Sequence, residues 1–560
     1  MLAGLALLSC LRATPVLAAG DAAVADPPAA RGAMAPGLSA TADGAQLIWL
    51  EPGGAQAVRL RTASYRHGLW SAAVTIVSRP LLVANWADTP VVAAAPDGAL
   101  VATWAQTRAP GRSGYGLCHA RSTDGGRTWA ELGIVHDDDS DVEHGFASLA
   151  PLGAGLGVFW LDGRATAHQG PMALRVTTAG SNAAETSLVL DERVCDCCGT
   201  AAAAGSSGPV IAYRDRTADE IRDIWFVRRR GEGWSEPAPV HEDRWQITGC
   251  PVEGPAIAAR GGVIAVAWFT AAGGRPTVKV AFSRDDGRSF DPPVEIDTAD
   301  AAGGPFGRVA VALDDAANAV VFWSSASGSN RGPAIRCRRL GPTGKLGAPL
   351  EVARTSADRA AGFPRVVRVG EELLAVWTEA GEQTALRARR IPLANVPGLE
   401  GAVTSAAGDS PTPLPASVPF AANLPGGYSR SGPGGVVALD ALRTGPVLVN
   451  FWATWCVPCR REMPLLAGLQ QRFRPQGLTV VGIAVDDSAA AVADFVAKEK
   501  LPFAVALDSS EDCRDRFGVR SVPTTLLYDR HGKLVWFADG EIKAESPGFR
   551  LALGEAIAAD

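Results

Sequence analysis

Positive charge is in short supply in this 560-residue chain: 53 Lys and Arg stand against 59 Asp and Glu, a formal net charge of −6. Nucleic acids are held through clustered Lys and Arg, so the absence of a basic stripe excludes that partner class. Lysine and tyrosine are both scarce, with only five tyrosines in the chain. Beyond the first twenty residues there is no apolar run long enough to span a bilayer. Disorder is excluded as well, because 47% of the residues are apolar and 20% charged, the balance of a folded chain. The length exceeds what one hydrophobic core serves, so two or more domains are expected.

The chain starts MLAGLALLSCLRATPVLAAG, a short apolar run followed by small residues. Residues 1–20 therefore suit a secretory signal better than a spanning helix, although the usual charged leader is missing. Cleavage beside Ala18 and Ala19 competes with a lipoprotein-type reading in which Cys10 carries a lipid anchor. Either reading implies export, to the periplasm or the outer face of the cytoplasmic membrane. That compartment is oxidising, and the ten cysteines can pair there.

Residues 36–392 repeat. An apolar strand ending in an aromatic residue recurs at Trp49, Trp104, Trp160, Tyr213, Trp268, Trp323 and Trp377, at successive spacings of 55, 56, 53, 55, 55 and 54 residues. So regular a period of short β-patterned segments marks propeller blades. Seven anchors suit seven blades; six fit if the first and last units share one, since the last unit seems short of its fourth strand. STDGGRTW at residues 122–129 and SRDDGRSF at residues 283–290 fall between third and fourth strands, with a worn copy, GEGW, at residues 231–234. In such a turn the Asp accepts from backbone amides, Gly supplies a positive φ, and the aromatic packs between sheets. These segments resemble the Asp-box of sialidase-like propellers. The resemblance does not extend to glycosidase chemistry. Only Tyr65, Tyr115 and Tyr213 are available as a nucleophile, and the family's Arg-Ile-Pro signature occurs only at residues 390–392, after the last anchor. A binding or scaffolding role is expected of the propeller.

Residues 393–435 are rich in Pro, Gly, Ala and Ser, the composition of a linker and domain lead-in. Residues 436–560 change pattern. PVLVNFWAT reads as a buried parallel strand, and WCVPCRREMP opens a helix carrying Cys456 and Cys459. A thiolate, not a thiol, attacks a disulfide, and a cysteine at a helix N-terminus has its anion stabilised by free amides and the helix dipole. Two intervening residues let the cysteines close into a small ring, so Cys456, expected to be the more exposed, attacks and Cys459 resolves. A zinc half-site is the bland alternative, but no second Cys or His pair lies nearby in this region.

VNFWATWCVPCRREMP, GLTVVGIAVDDS and GVRSVPTTLLYDRHGKL together resemble the TlpA and ResA group of exported thioredoxin-like proteins. With the repeat before it, the resemblance makes the chain an all-β propeller followed by an α/β thioredoxin-like domain. It also implies a cis peptide before Pro523 that sets the Val522 backbone beside the cysteines, and a Glu462 that tunes their proton chemistry. Asn450 stands where thioredoxin itself has a buried Asp, and Trp455 is expected beside the cysteines. The group's members imply a reductase of client protein disulfides, such as those of apocytochrome c or copper-assembly proteins, fed by a membrane electron donor.

VCDCCG places Cys195, Cys197 and Cys198 before one anchor strand, and GCP places Cys250 before the next. Equivalent positions in adjacent blades can face each other. Three readings compete: disulfides joining the blades, a copper or zinc site, and electron exchange in cis with Cys456 and Cys459. Cys118, Cys337 and Cys513 are isolated and read as small buried hydrophobes. HDDDSDVEH at residues 136–144 reads as a solvated acidic loop, with a cation site as the alternative. The chain is expected to be an exported thiol–disulfide oxidoreductase without a resident cofactor, its propeller recognising the client. The alternative is a metal- or ligand-binding propeller whose cysteine cluster the fused domain keeps reduced.

Overall fold

The computed structural model describes residues 26–399 and 445–558, apart from 55–56, 111, 113, 181–186, 300–303, 327–331, 486–488, 509–516, 518, 520–521, 531–533 and 543–546. The expectations for residues 1–20, for Cys10 and Cys513, and for most of 393–435 fall outside the described residues. No helix among those described is long and apolar enough to cross a membrane.

Each anchor segment forms the second strand of an antiparallel sheet, and there are seven such sheets. The anchor strands are Gly44–Gly54, Leu100–Thr107, Gly155–Asp162, Gly208–Arg214, Val263–Thr270, Ala319–Ser325 and Glu372–Glu379. Neighbouring blades cover both faces of these strands, which is why they read as unbroken apolar runs rather than alternating ones. The terminal aromatic fills the space between blades while its polar atom finds an acid. Trp49 donates to Glu51 at 2.9 Å, Trp268 to Asp243 at 2.6 Å, Trp323 to Asp297 at 2.7 Å, and Tyr213 to Asp191 at 2.6 Å. The preceding strand of each blade lines the central channel, where seven edges converge and small residues such as those of Ala201–Gly205 fit.

The seventh blade has three strands, ending at Ala385–Pro392. Residues 26–33 run along its open edge: Gly32 N–H donates to Thr384 at 2.7 Å, and Asp26 accepts from Arg387 at 2.6 Å. The first and last units therefore keep separate sheets, and the blade count is seven, not six. In the two Asp-containing turns the carboxylate behaves as its chemistry predicts. Asp124 accepts from the Arg127 and Thr128 amides, and Asp285 from those of Arg288 and Ser289. Phe290, closing the second turn, packs edge-on against Phe226 of the preceding blade, 5.0 Å between ring centres.

Residues 136–144 correct one expectation, because the loop is not simply solvated. His136 and His144 are buried and stacked 3.8 Å apart, and His144 donates to Asp138 at 2.9 Å. Arg108 and Arg164 reach out to Asp139 and Asp137. Arg108 and Arg164 offset the charge of Asp139 and Asp137, and the Asp137, Asp139 and Asp141 side chains remain exposed. Burial, with His144 and Arg108 nearby, pushes His136 down to about 3.

The C-terminal domain is a five-stranded sheet in the order Ala504–Leu507, Thr479–Ala484, Val447–Trp452, Thr524–Tyr528, Leu534–Asp539. The first three strands are parallel and the last two antiparallel. Helices Val457–Phe473, Ala489–Glu499 and Pro547–Ala558 accompany it. Trp86, Phe146 and Val252 of the propeller join Phe451, Met463 and Val522 of this domain in one continuous apolar cluster.

Candidate functional site: a disulfide closed under the propeller

The central strand Val447–Trp452 is buried throughout and delivers the chain to a sharp turn at its end. Cys456 caps the helix that follows, with Pro458 in the first turn, where its missing N–H costs nothing. Cys456 and Cys459 are joined by a disulfide with their Cα atoms 5.2 Å apart. The Cys459 amide donates to Cys456 Sγ at 3.3 Å, so the helix N-terminus addresses the sulfur on which a thiolate would form. The peptide between Val522 and Pro523 is cis, and the Val522 carbonyl lies 3.6 Å from Cys456 Sγ.

Glu462 sits further along the same helix and is buried. Its carboxylate accepts from Asn450 Nδ2 at 2.7 Å and from the Ile542 amide at 2.9 Å; Asn450 also donates to Thr525 Oγ1 at 2.9 Å. Burial raises the Glu462 carboxyl to about 8, against the lowering pull of those two donors. An acid in that range can hold or release a proton near neutrality.

Cys456 is expected to be the more exposed of the two cysteines, and it is not. Both cysteines have 0% of their surface accessible. The reason is the propeller. Cys250 N–H donates to the Val522 carbonyl at 2.9 Å in an antiparallel bridge, and Thr248 pairs in parallel with Gly540. Arg359, from the connection between blades six and seven, stacks over the half-buried Trp455 at 4.7 Å and donates to the Val485 carbonyl at 3.2 Å. Arg460 faces the buried Glu143 at 3.6 Å.

Cys195, Cys197, Cys198 and Cys250 are buried free thiols. This counts against the first of the three readings, disulfides joining the blades; the connections before adjacent anchor strands do place Cys197 and Cys250 on one cavity. Cys195 Sγ lies 3.4 Å from Cys198 Sγ and 3.9 Å from Cys197 Sγ, and Arg222 Nη1 donates to it at 3.2 Å. Burial works against the Cys195 thiolate, but hydrogen bonds from Cys197 and Cys198 and the Arg222 charge hold this thiol well below its ordinary range. Cys197 and Cys198 are pushed well up, chiefly by burial. Three sulfurs, those of Cys195, Cys197 and Cys198, lie within 4.8 Å of one another, a spacing at which a soft metal ion could be held. Cys118 and Cys337 are buried, and burial raises their thiols to about 11 and about 12.

Arg222 and Arg359 escaped the sequence reading. Arginine is abundant in this chain, and nothing local distinguishes these two from the rest.

Comparison with known proteins bears on the C-terminal part. Residues 420–537 match the AhpC/TSA family. Within this region the chain is 35% identical over 105 residues to the thiol-disulfide oxidoreductase ResA of Bacillus anthracis, covering 19% of this chain and 61% of that protein. The ResA of Bacillus subtilis is 36% identical over 104 residues, covering 19% and 58%. The chain thus spans about three-fifths of the length of these relatives. A solved thiol:disulfide interchange protein of the thioredoxin family from Chlorobium tepidum is 25% identical, covering 23% of this chain and 93% of that one, with a TM-score of 0.21. The AhpC/TSA-type domain thus follows a seven-bladed propeller, as the motifs anticipated.

Proposed function

We propose that this chain is an exported thiol–disulfide oxidoreductase that reduces client protein disulfides through Cys456 and Cys459. The Cys456–Cys459 bond at a helix N-terminus, facing the Val522 carbonyl, carries the reading. In the reduced form the Cys456 thiolate attacks a client sulfur and expels the other client cysteine as a thiolate. The Cys459 thiolate then attacks Cys456, closing the bond seen here and freeing the reduced client. Glu462, with Asn450 and Thr525, is the proton store beside that step. Val522, before Pro523, offers its backbone to an extended client segment. A membrane electron donor reloads the pair, and the propeller recognises the client.

The test is reduction of a disulfide-linked peptide by the full chain supplied with dithiothreitol. Substituting Cys456→Ser should abolish turnover. Cys459→Ser should leave a stable mixed disulfide on Cys456. Undiminished turnover in the Cys456→Ser protein would refute the assignment.

A second reading is favoured by the three close sulfurs of Cys195, Cys197 and Cys198: a copper- or zinc-binding propeller whose thiols the fused domain keeps reduced. Stoichiometric copper(I) bound by the reduced full chain, and lost on Cys197→Ser with Cys198→Ser, would support it.

A further inference from the structure

We propose that Cys250 of the propeller is an internal exchange partner of the Cys456–Cys459 disulfide, with Cys197 as the second thiol. The inference rests on the exchange chemistry proposed above for Cys456. The backbone evidence comes first. Cys250 N–H donates to the Val522 carbonyl at 2.9 Å, and the same carbonyl lies 3.6 Å from Cys456 Sγ. Residue 250 therefore occupies the place beside the disulfide that an extended client strand would take. The register is held two residues earlier, where Thr248 pairs with Gly540. A Cβ at Gly540 would fall 1.4 Å from Thr248 Oγ1, and its φ of +126° suits glycine, so this contact is cut for close approach of the two backbones.

The side chains point the same way. Cys250 lies near enough to Cys197 to bear on its thiol, and one narrow cavity touches Cys197, Cys250, Trp455 and Val457. The propeller thiols thus share a space with the first residue of the active-site helix. Arg222, fully buried, donates to Cys195 Sγ at 3.2 Å and lies close enough to Cys197 and Cys250 for its charge to act on them.

The exchange balances within the chain. The Cys250 thiolate attacks Cys456 Sγ; the Cys456–Cys459 bond breaks and Cys459 leaves as a thiolate. Cys197 gives up its proton, and Cys459 gains one. The Cys197 thiolate then attacks Cys250 Sγ and releases the Cys456 thiolate. Two electrons pass from the Cys197/Cys250 dithiol to the Cys456/Cys459 pair. Run backwards, a reduced Cys456/Cys459 pair restores the propeller dithiol. The domain beneath the propeller thus has a substrate in its own chain.

The full chain carrying Cys197→Ser and Cys459→Ser, treated with oxidised glutathione, tests this. Cys456 takes up glutathione, and Cys250 then displaces it. Peptide mass analysis without reduction should find a Cys250–Cys456 link. Glutathione on Cys456 with no such link would overturn the inference while leaving the exchange chemistry of Cys456 intact. Cys456 that accepts no glutathione would overturn the chemistry on which it rests. A second measurement does not depend on that doubly substituted chain. In glutathione buffer, the Cys197–Cys250 disulfide should form at least about tenfold faster in the unmutated chain than in Cys456→Ser, because the internal route gains from proximity. Equal rates would overturn it.

Discussion

Two sets of cysteines are buried in this chain, and they are buried by different means. Cys456 and Cys459 sit at a helix N-terminus, and what closes over them is a separate domain: the Cys250 segment on Val522, Arg359 on Trp455, and Glu143 facing Arg460. Cys195, Cys197 and Cys198 lie in a loop between blades three and four, with Arg222 sealed beside them. Separating the two domains would uncover the first set and leave Arg222 beside the second. The cover over Cys456 and Cys459 is thus a separate domain, whereas the charge beside Cys195 belongs to the propeller itself. The lesson is that burial alone does not mark a cysteine as structural; what buries it, and whether that cover can leave, decides.

The largest effect should come from Arg222→Met. Arg222 donates to Cys195 Sγ at 3.2 Å and to Glu220 at 2.8 Å from a site with no solvent access. Its loss strands negative charge in the interior, at a cost of about 3–5 kcal/mol, to be read from denaturant unfolding. The ultraviolet absorbance of the propeller thiolate should also move to higher pH. If both were unchanged, the distinction between the two sets would break, because the propeller thiols would then need no fixed counter-charge.

Glu462→Gln sharpens the other side of the comparison. The native carboxyl titrates at about 8, above its ordinary 4.5, so the folded chain binds this proton more tightly than the unfolded one. Raising the pH strips the unfolded state first, and stability therefore falls between about pH 4.5 and 8, by up to roughly 1.4 kcal/mol per pH unit from this group. In Glu462→Gln that part of the slope should vanish. Two N–H groups, of Asn450 and Ile542, point at a side chain that now has one acceptor oxygen, which costs about 1–3 kcal/mol. Unfolding measured across this pH range checks both.

The smallest effect belongs to the cover itself. Arg359→Ala removes the stacking on Trp455 and the hydrogen bond to Val485, together about 1–2 kcal/mol of docking. Dithiothreitol should then reduce the Cys456–Cys459 bond about tenfold faster, the ratio that 1.4 kcal/mol represents. An unchanged rate would mean that the propeller does not limit access.

Much of this was legible in the sequence, for physical reasons that differ by element. The anchor aromatics recur because every blade solves the same packing problem, filling the gap to its neighbour and satisfying one polar atom. Cys456 and Cys459 stand out because thiol exchange constrains spacing and position at once. The burial of Cys456 was not legible. It arises from contacts between segments far apart in the chain, and no periodicity says which propeller loop faces the next domain. Arg222 was invisible for the same reason: its partner Cys195 lies 27 residues away, across a blade.

The central claim is that the Cys456–Cys459 bond is a redox couple and not a staple. Equilibrating the full chain in glutathione and dithiothreitol buffers, then counting free Cys456 by mass, measures its reduction potential directly. The account predicts a two-electron transition between about −270 and −120 mV, the span of working exchange proteins. A bond that stays oxidised below about −300 mV, where structural disulfides lie, would contradict it.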